Sequence, residues 1–228
     1  MSPKQQAHRT PSHPKRLSPE SRAPAFAAAI VAIAGQTWVS RSLGLRPVWV
    51  FAAVSAVLLA ASIAIYFSPW DQPSALLRWL SAGLIGVLVV ANVGSLVLLV
   101  HGVFVGSNLT AVDLVAAGCA LWAVNVAMFG LAYWELDAGG PEARIRNERL
   151  PDLVFPQQQN NGPGLVPDGW QPMFSDYLYV SLTAATAFSP TDAMPYTRQA
   201  KLVMAVESTM SFAIFAMLVA RAVNIAHG

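Results

Sequence analysis

The sequence predicts an all-α, polytopic membrane protein with four full transmembrane helices, a short N-terminal membrane helix and a short re-entrant helix before the last span. Three observations carry this. Of the 228 residues, 55% are hydrophobic and only 11% charged, far below the roughly 25% charged of an average soluble domain. The charges are segregated: the first 23 residues hold Lys4, Arg9, Lys15, Arg16 and Arg22 against Glu20 alone, and long later stretches hold none. An apolar run too short to cross a bilayer, closed by two prolines, precedes the final long one.

Residues 1–23 are rich in Pro, Ser, His and basic side chains without apolar periodicity, which reads as a disordered, cytoplasmic, topogenic tail. Residues 24–112 form the N-terminal membrane helices. Ala25 to Val39 is the short one, about 22 Å as a helix against a hydrocarbon core of about 30 Å. Three placements stay open for it: a span completed with help from its neighbours, a helix lying in the interface, or a signal peptide with Ala32-Ile33-Ala34 as its small-residue cleavage site. The full spans are Pro47 to Phe67, Leu80 to Val100, Leu114 to Trp134 and Leu202 to Val223, each near the twenty apolar residues that a crossing helix needs. Trp49, Trp70, Trp79 and Trp134 fall near segment ends, where indoles favour the headgroup level, and mid-span Trp122 reads as a packing residue.

The connector 135–172 carries Glu135, Asp137, Glu142, Glu148, Asp152 and Asp168 against Arg144, Arg146 and Arg149, so it reads as extracytoplasmic and solvated. Arg41 and Arg46 then belong inside with the tail. This is self-consistent only if Ala25 to Val39 does not cross fully, or if it crosses with the basic tail outside.

The segment from Phe174 to Phe188 starts at a Ser175 or Asp176 cap, runs apolar for about 13 residues and is stopped by Pro190 and Pro195. Backbone that ends partway across a bilayer is tolerated only inside protein or beside a water-filled cavity, so a re-entrant loop is expected. The carbonyl end of the short helix would turn its negative pole toward the membrane interior and favour a cation there.

A spanning helix, a connector, a short helix ending in Thr183 and Thr186, an Asp192-x-x-Pro195 turn and a last helix with Glu207 together resemble the two-helix, pore-loop module of the potassium-channel superfamily, over residues 113–228. The resemblance implies a homotetramer around an axis, with a re-entrant pore helix and loop at 174–195 and an inner helix at 199–224. The family's Thr-Val-Gly-Tyr-Gly-Asp filter is replaced here by Thr186-Ala187-Phe188-Ser189-Pro190-Thr191-Asp192, without glycine. Since proline holds φ near about −65° and restricts the residue before it, aligned filter carbonyls are not expected. The implied activity is passage of a monovalent cation without typical potassium selectivity, through a constriction formed by Thr183 and Thr186 to Asp192, with Glu207 and Ser211 on the inner helix. The strings Ala187 to Asp192 and Arg221 to Asn224 also resemble bacterial membrane proteins of unassigned function.

Glu207 has a second reading, in which it bonds Ser181 or Thr183 and holds the loop in place. Asn92 and Asn125 are candidates to pair across helices. Cys119 lies within an apolar run and reads as a core residue. There is no His, Cys or carboxylate cluster at metal-ligand spacing, no phosphate-cradling glycine loop and no Gly-x-Ser-x-Gly. Neither an enzyme nor a cofactor is expected, and the expected partners are membrane lipid and the cation, with no nucleic acid. The alternative function is a non-conducting membrane protein that keeps the pore-loop shape as a structural or partner-binding element. A secondary transporter is disfavoured because no inverted repeat shows in the hydropathy.

Overall fold

The computed structural model of the protein describes residues 20–44, 48–67, 74–104, 110–146, 149–159, 166, 170–187 and 193–226. The helices are α1 (Ala23–Ser42), α2 (Val48–Tyr66), α3 (Ser74–Phe104), α4 (Ala111–Leu136), α5 (Pro141–Ile145), α6 (Pro156–Gln159), α7 (Phe174–Ala187) and α8 (Arg198–Ala226). Two short strands, β1 (Leu153–Val154) and β2 (Met194–Pro195), pair antiparallel with Leu153 opposite Pro195. The tail expected to be disordered lies, up to residue 19, outside the described residues.

Among the described residues, five helices are long and apolar enough to cross a membrane: α1, α2, α3, α4 and α8. The N-terminal helix therefore differs from expectation. It runs 20 residues from Ala23 to Ser42, about 30 Å at 1.5 Å per residue, which matches the hydrocarbon thickness. Pro24 sits in its first turn, where a missing N–H costs nothing, and Thr37 and Ser42 return their hydroxyls to the carbonyls of Ile33 and Trp38, so polar residues extend the helix past Val39.

α4 is the hub, touching α1, α3, α7 and α8. Between membrane helices the hydrophobic effect gives no drive, so close packing and polar contacts hold them together. Small residues on α4 allow this. A Cβ added at Gly118 would come 2.6 Å from Leu218 of α8, and one at Gly130 would come 3.2 Å from the Cα of Leu178 on α7. In the same way Gly35 of α1 admits Val124 of α4. A capping box starts α4: Thr110 Oγ1 accepts from the Asp113 N–H at 3.2 Å, and Asp113 accepts from the Thr110 N–H at 3.0 Å.

After α4 the chain reverses sharply, with Ala138, Gly139 and Gly140 all at positive φ, a conformation that the glycines reach without strain. The connector that follows is no solvated turret. Asp137, Arg144, Leu153 and Phe155 are buried, because Asp137 collects the chain around itself. Its Oδ1 accepts from the N–H groups of Asp152 and Leu153 at 2.7 and 3.0 Å, and its Oδ2 accepts from the Tyr177 hydroxyl at 2.5 Å. Cys119 is exposed rather than in the core.

Candidate functional site

The α4–α7–α8 contact contains a polar seam. Glu207 of α8 is fully buried and accepts hydrogen bonds from the Tyr133 hydroxyl of α4 and from Ser181 Oγ of α7. Ser181 Oγ is also 2.8 Å from the carbonyl of Val126 on α4, so its single proton serves one acceptor at a time. One helical turn along α8, Ser211 Oγ accepts from Asn125 Nδ2 at 2.9 Å. The spacing explains the seam: Glu207 and Ser211 are i and i+4 on one face of α8, and Val126 and Tyr133 are i and i+7 on one face of α4. Three helices are thereby tied at one level.

The start of α7 is held from three sides. Asp176 accepts from the Met173 N–H at 2.7 Å, capping the helix from its third position. Glu20, from the N-terminal segment, accepts from the Phe174 N–H at 2.8 Å and from the Trp134 indole at 3.1 Å. Tyr177 reaches Asp137 beneath the connector, with the Arg144 guanidinium 4.9 Å above its ring. From this end α7 descends along α4 and α8. Ser181 lies level with Val126, and the carbonyl of Ala184 is 3.5 Å from Ser208 Oγ. Ser208 stands roughly 15 Å along α8 from its start.

Next to Glu20, Arg22 joins the ends of two elements. Its guanidinium is bidentate to Glu142 at 2.7 and 2.9 Å and donates to Glu135 at 2.8 Å, stacked 5.1 Å from the Trp134 ring. Burial alone would lower its pKa, but the carboxylates of Glu142 and Glu135 outweigh that and hold it above the ordinary arginine value. Arg22 and Glu20 thus stand at the end of the bundle that carries the connector. Residues 20–22 and the connector therefore lie on one side of any membrane that α1 crosses.

Of the residues singled out from the sequence, Thr183, Thr186 and Ala187 lie in the last turns of α7. Thr183 donates to the Val180 carbonyl and Thr186 to the Leu182 carbonyl, so both hydroxyls close back on their own helix. Phe188, Ser189, Pro190, Thr191 and Asp192 lie outside the described residues. Glu207 and Ser211 are brought together with Asn125, Tyr133 and Ser181, and Thr183 is not part of that seam. Asn125 pairs with Ser211 rather than with Asn92.

Sequence reasoning missed Glu20, Arg22, Tyr133 and Asp137 as organising residues. Glu20 and Arg22 look like ordinary members of a basic tail, and Tyr133 like an interfacial aromatic. The one available signal is two acids, Glu135 and Asp137, at a span end just before Gly139-Gly140. Among the described residues, no three His, Cys, Asp or Glu side chains are placed to hold a metal ion.

The arrangement belongs to the class of polytopic helical membrane proteins. No protein-family model, curated protein or solved structure matches the chain.

Proposed function

We propose that the chain is a multi-pass protein of the cell membrane whose α4–α7–α8 unit acts as a pore-loop module, passing a monovalent cation when several copies, four by the resemblance, surround an axis. One observation carries the reading: α7 begins level with the end of α4 and stops beside the middle of α8, and the chain is back at its starting end by β2, which pairs with the connector strand β1. That path supports reading α7 as a re-entrant helix. Its C-terminal carbonyls lie at span depth, where the dipole favours a cation. Ser175, Tyr179, Leu182 and Thr186 form an exposed stripe on α7, the face available to a neighbouring copy. In this reading Glu207 holds α7 and α4 against α8 and Ser211 ties α8 to α4 through Asn125, while residues 183–192 form the constriction.

We further propose that tail and connector both face the cytoplasm. Among the described residues Arg22, Arg78, Arg144, Arg149, Arg198 and Lys201 stand at this end against Arg41 and Arg221 at the other, and lysine and arginine, not acids, set orientation. The connector's acids, which suggested the outer side, are partly spent in buried pairs of Glu135, Asp137 and Glu142. The re-entrant helix then enters from the cytoplasmic side, opposite to the outward connector that the resemblance implies.

A non-conducting role is the second reading, favoured by the seam itself: Glu207 has both oxygens occupied within one chain. Cation flux into liposomes separates the two. A channel gives flux that Pro190→Gly and Asp192→Asn change several-fold in an assembly of unaltered size. Absence of flux from folded wild type across voltage and pH leaves the non-conducting role.

A further inference from the structure

A cleft of about 650 Å³ opens between the start of α3, the end of α4 and the start of α8. We propose that it binds the headgroup and upper acyl chain of an anionic phospholipid. Its rim carries Arg78, Trp79 and Arg149, and its wall is apolar, with Ile85, Gly86 and Val203.

The two arginines put two guanidinium groups on the rim, in a lining that also holds Asp152 and the Arg22-paired Glu135. Among the described residues neither is in an ion pair. Of the four carboxylate oxygens of Asp152 and Glu135, which line the same cleft, three are engaged and Glu135 Oε2 has no hydrogen-bond partner among the described residues. Asp152 accepts from the Ala138 N–H at 3.1 Å and from Thr197 Oγ1 at 2.6 Å, and Glu135 is held by Arg22 at 2.8 Å. Arg149 is placed by the turn after α4: a Cβ at Gly139, where φ is +83°, would come within 3.1 Å of Arg149 Cδ, so only glycine there lets the arginine stem lie across the turn.

The apolar wall decides between possible anions. Arg78 and Trp79 lie in the first turns of a spanning helix, and exposed Leu76, Trp79 and Leu202 flank the cleft on its membrane-facing side. An exposed indole at a span end marks the headgroup level. A soluble anion would use the guanidinium groups and leave the wall bare, and a neutral lipid would cover the wall and leave the arginines without an anion. An anionic phospholipid satisfies both, as basic pockets between membrane helices do for phosphate headgroups. Arginine suits the phosphate because its planar fork donates two parallel hydrogen bonds.

The test is native mass spectrometry of the full chain released from detergent, after incubation with phosphatidylglycerol, phosphatidylcholine or inorganic phosphate. Wild type should retain phosphatidylglycerol about tenfold better than phosphatidylcholine. Arg78→Gln with Arg149→Gln should remove that preference, since each charge-assisted bond is worth about tenfold or more. Gly86→Leu should cut retention of both lipids, because nothing lies within 4 Å of a Cβ added there and the new side chain would fill the cleft without disturbing its neighbours. Arg198→Gln, at the same end but outside the cleft, should change nothing. Equal retention of the two lipids, an unchanged preference in the double variant, or displacement of phosphatidylglycerol by inorganic phosphate would each overturn the proposal. If the double variant does not fold, Gly86→Leu decides alone: undiminished retention rejects the site.

Discussion

Glu207 stands nine residues into α8 with Tyr133 on one oxygen and Ser181 on the other. An acidic residue inside an apolar span is costly unless it is fully bonded, and here the bonding comes from two other helices. Removing the carboxylate leaves a buried tyrosine hydroxyl without its acceptor, whereas Ser181 keeps the Val126 carbonyl. Glu207→Ala should therefore lower stability by about 2–4 kcal/mol, and Glu207→Gln, which keeps one oxygen acceptor, by about half as much. The thermal midpoint of the purified protein in nanodiscs measures both. A fall of equal size in the two variants would show that charge, not bonding, holds the seam. The sequence marked Glu207 as exceptional and named Ser181 among its possible partners. It gave no sign of Tyr133, because an aromatic near a span end is common and its hydroxyl's direction depends on how α4 and α8 cross.

At the scale of elements, α7 is a helix of 14 residues with little lipid-spanning length, so its place depends on what it leans against. Gly130 is the point of closest approach, and the atom in the way of a Cβ is the Cα of Leu178, which moves only if α7 moves. At Gly118 the obstructing atoms belong to the Leu218 side chain, which has rotamers to use. Gly130→Ala should cost about 1–3 kcal/mol by overpacking. Gly118→Ala should be close to neutral, because alanine's better helix propensity, about 1 kcal/mol, offsets a small repacking. Chemical denaturation of the two variants side by side checks the order, and a larger loss at Gly118 would contradict the packing argument. The limits of α2 were legible to within one residue, since its apolar run ends in loops on both sides. Those of α1 were not: its C-terminal half contains Gln36, Ser40 and Arg41, of which Gln36 and Ser40 are buried against Ser95 of α3, Gln36 donating to it at 2.9 Å, while Arg41 is exposed.

For the whole molecule, the ties from Glu20 and Arg22 to Trp134, Glu135, Glu142 and Phe174 set residues 20–22 and the connector at one end of five helices long and apolar enough to cross a membrane. In a Cys119→Ala background, cysteines introduced by Ser21→Cys and Gln157→Cys should react with a membrane-impermeant maleimide from the same side, and Arg41→Cys from the other. By the arginine and lysine distribution the first two should be protected in intact cells and labelled after lysis. Labelling of Ser21→Cys and Gln157→Cys from opposite sides would mean that α1 does not cross. Rich in charge and poor in apolar periodicity, the long connector has the sequence of a solvated segment. It packs instead, because Asp137 and Arg144 satisfy backbone and ring partners far along the chain.

By itself the sequence determined that this is a helical membrane protein, where its long spans run and that a short helix precedes the last one. Those properties depend on local composition: a run of apolar residues chooses lipid, and length decides whether it crosses. Only the tertiary structure decided that α1 is a fifth helix long enough to cross, that Glu20 and Arg22 meet the connector, that Glu207 faces Tyr133 and that Arg78 and Arg149 share a cleft. Each of these joins residues far apart in the chain, and such pairs are set by how helices pack and by which buried polar groups find partners, neither of which leaves a periodic trace in the order of amino acids.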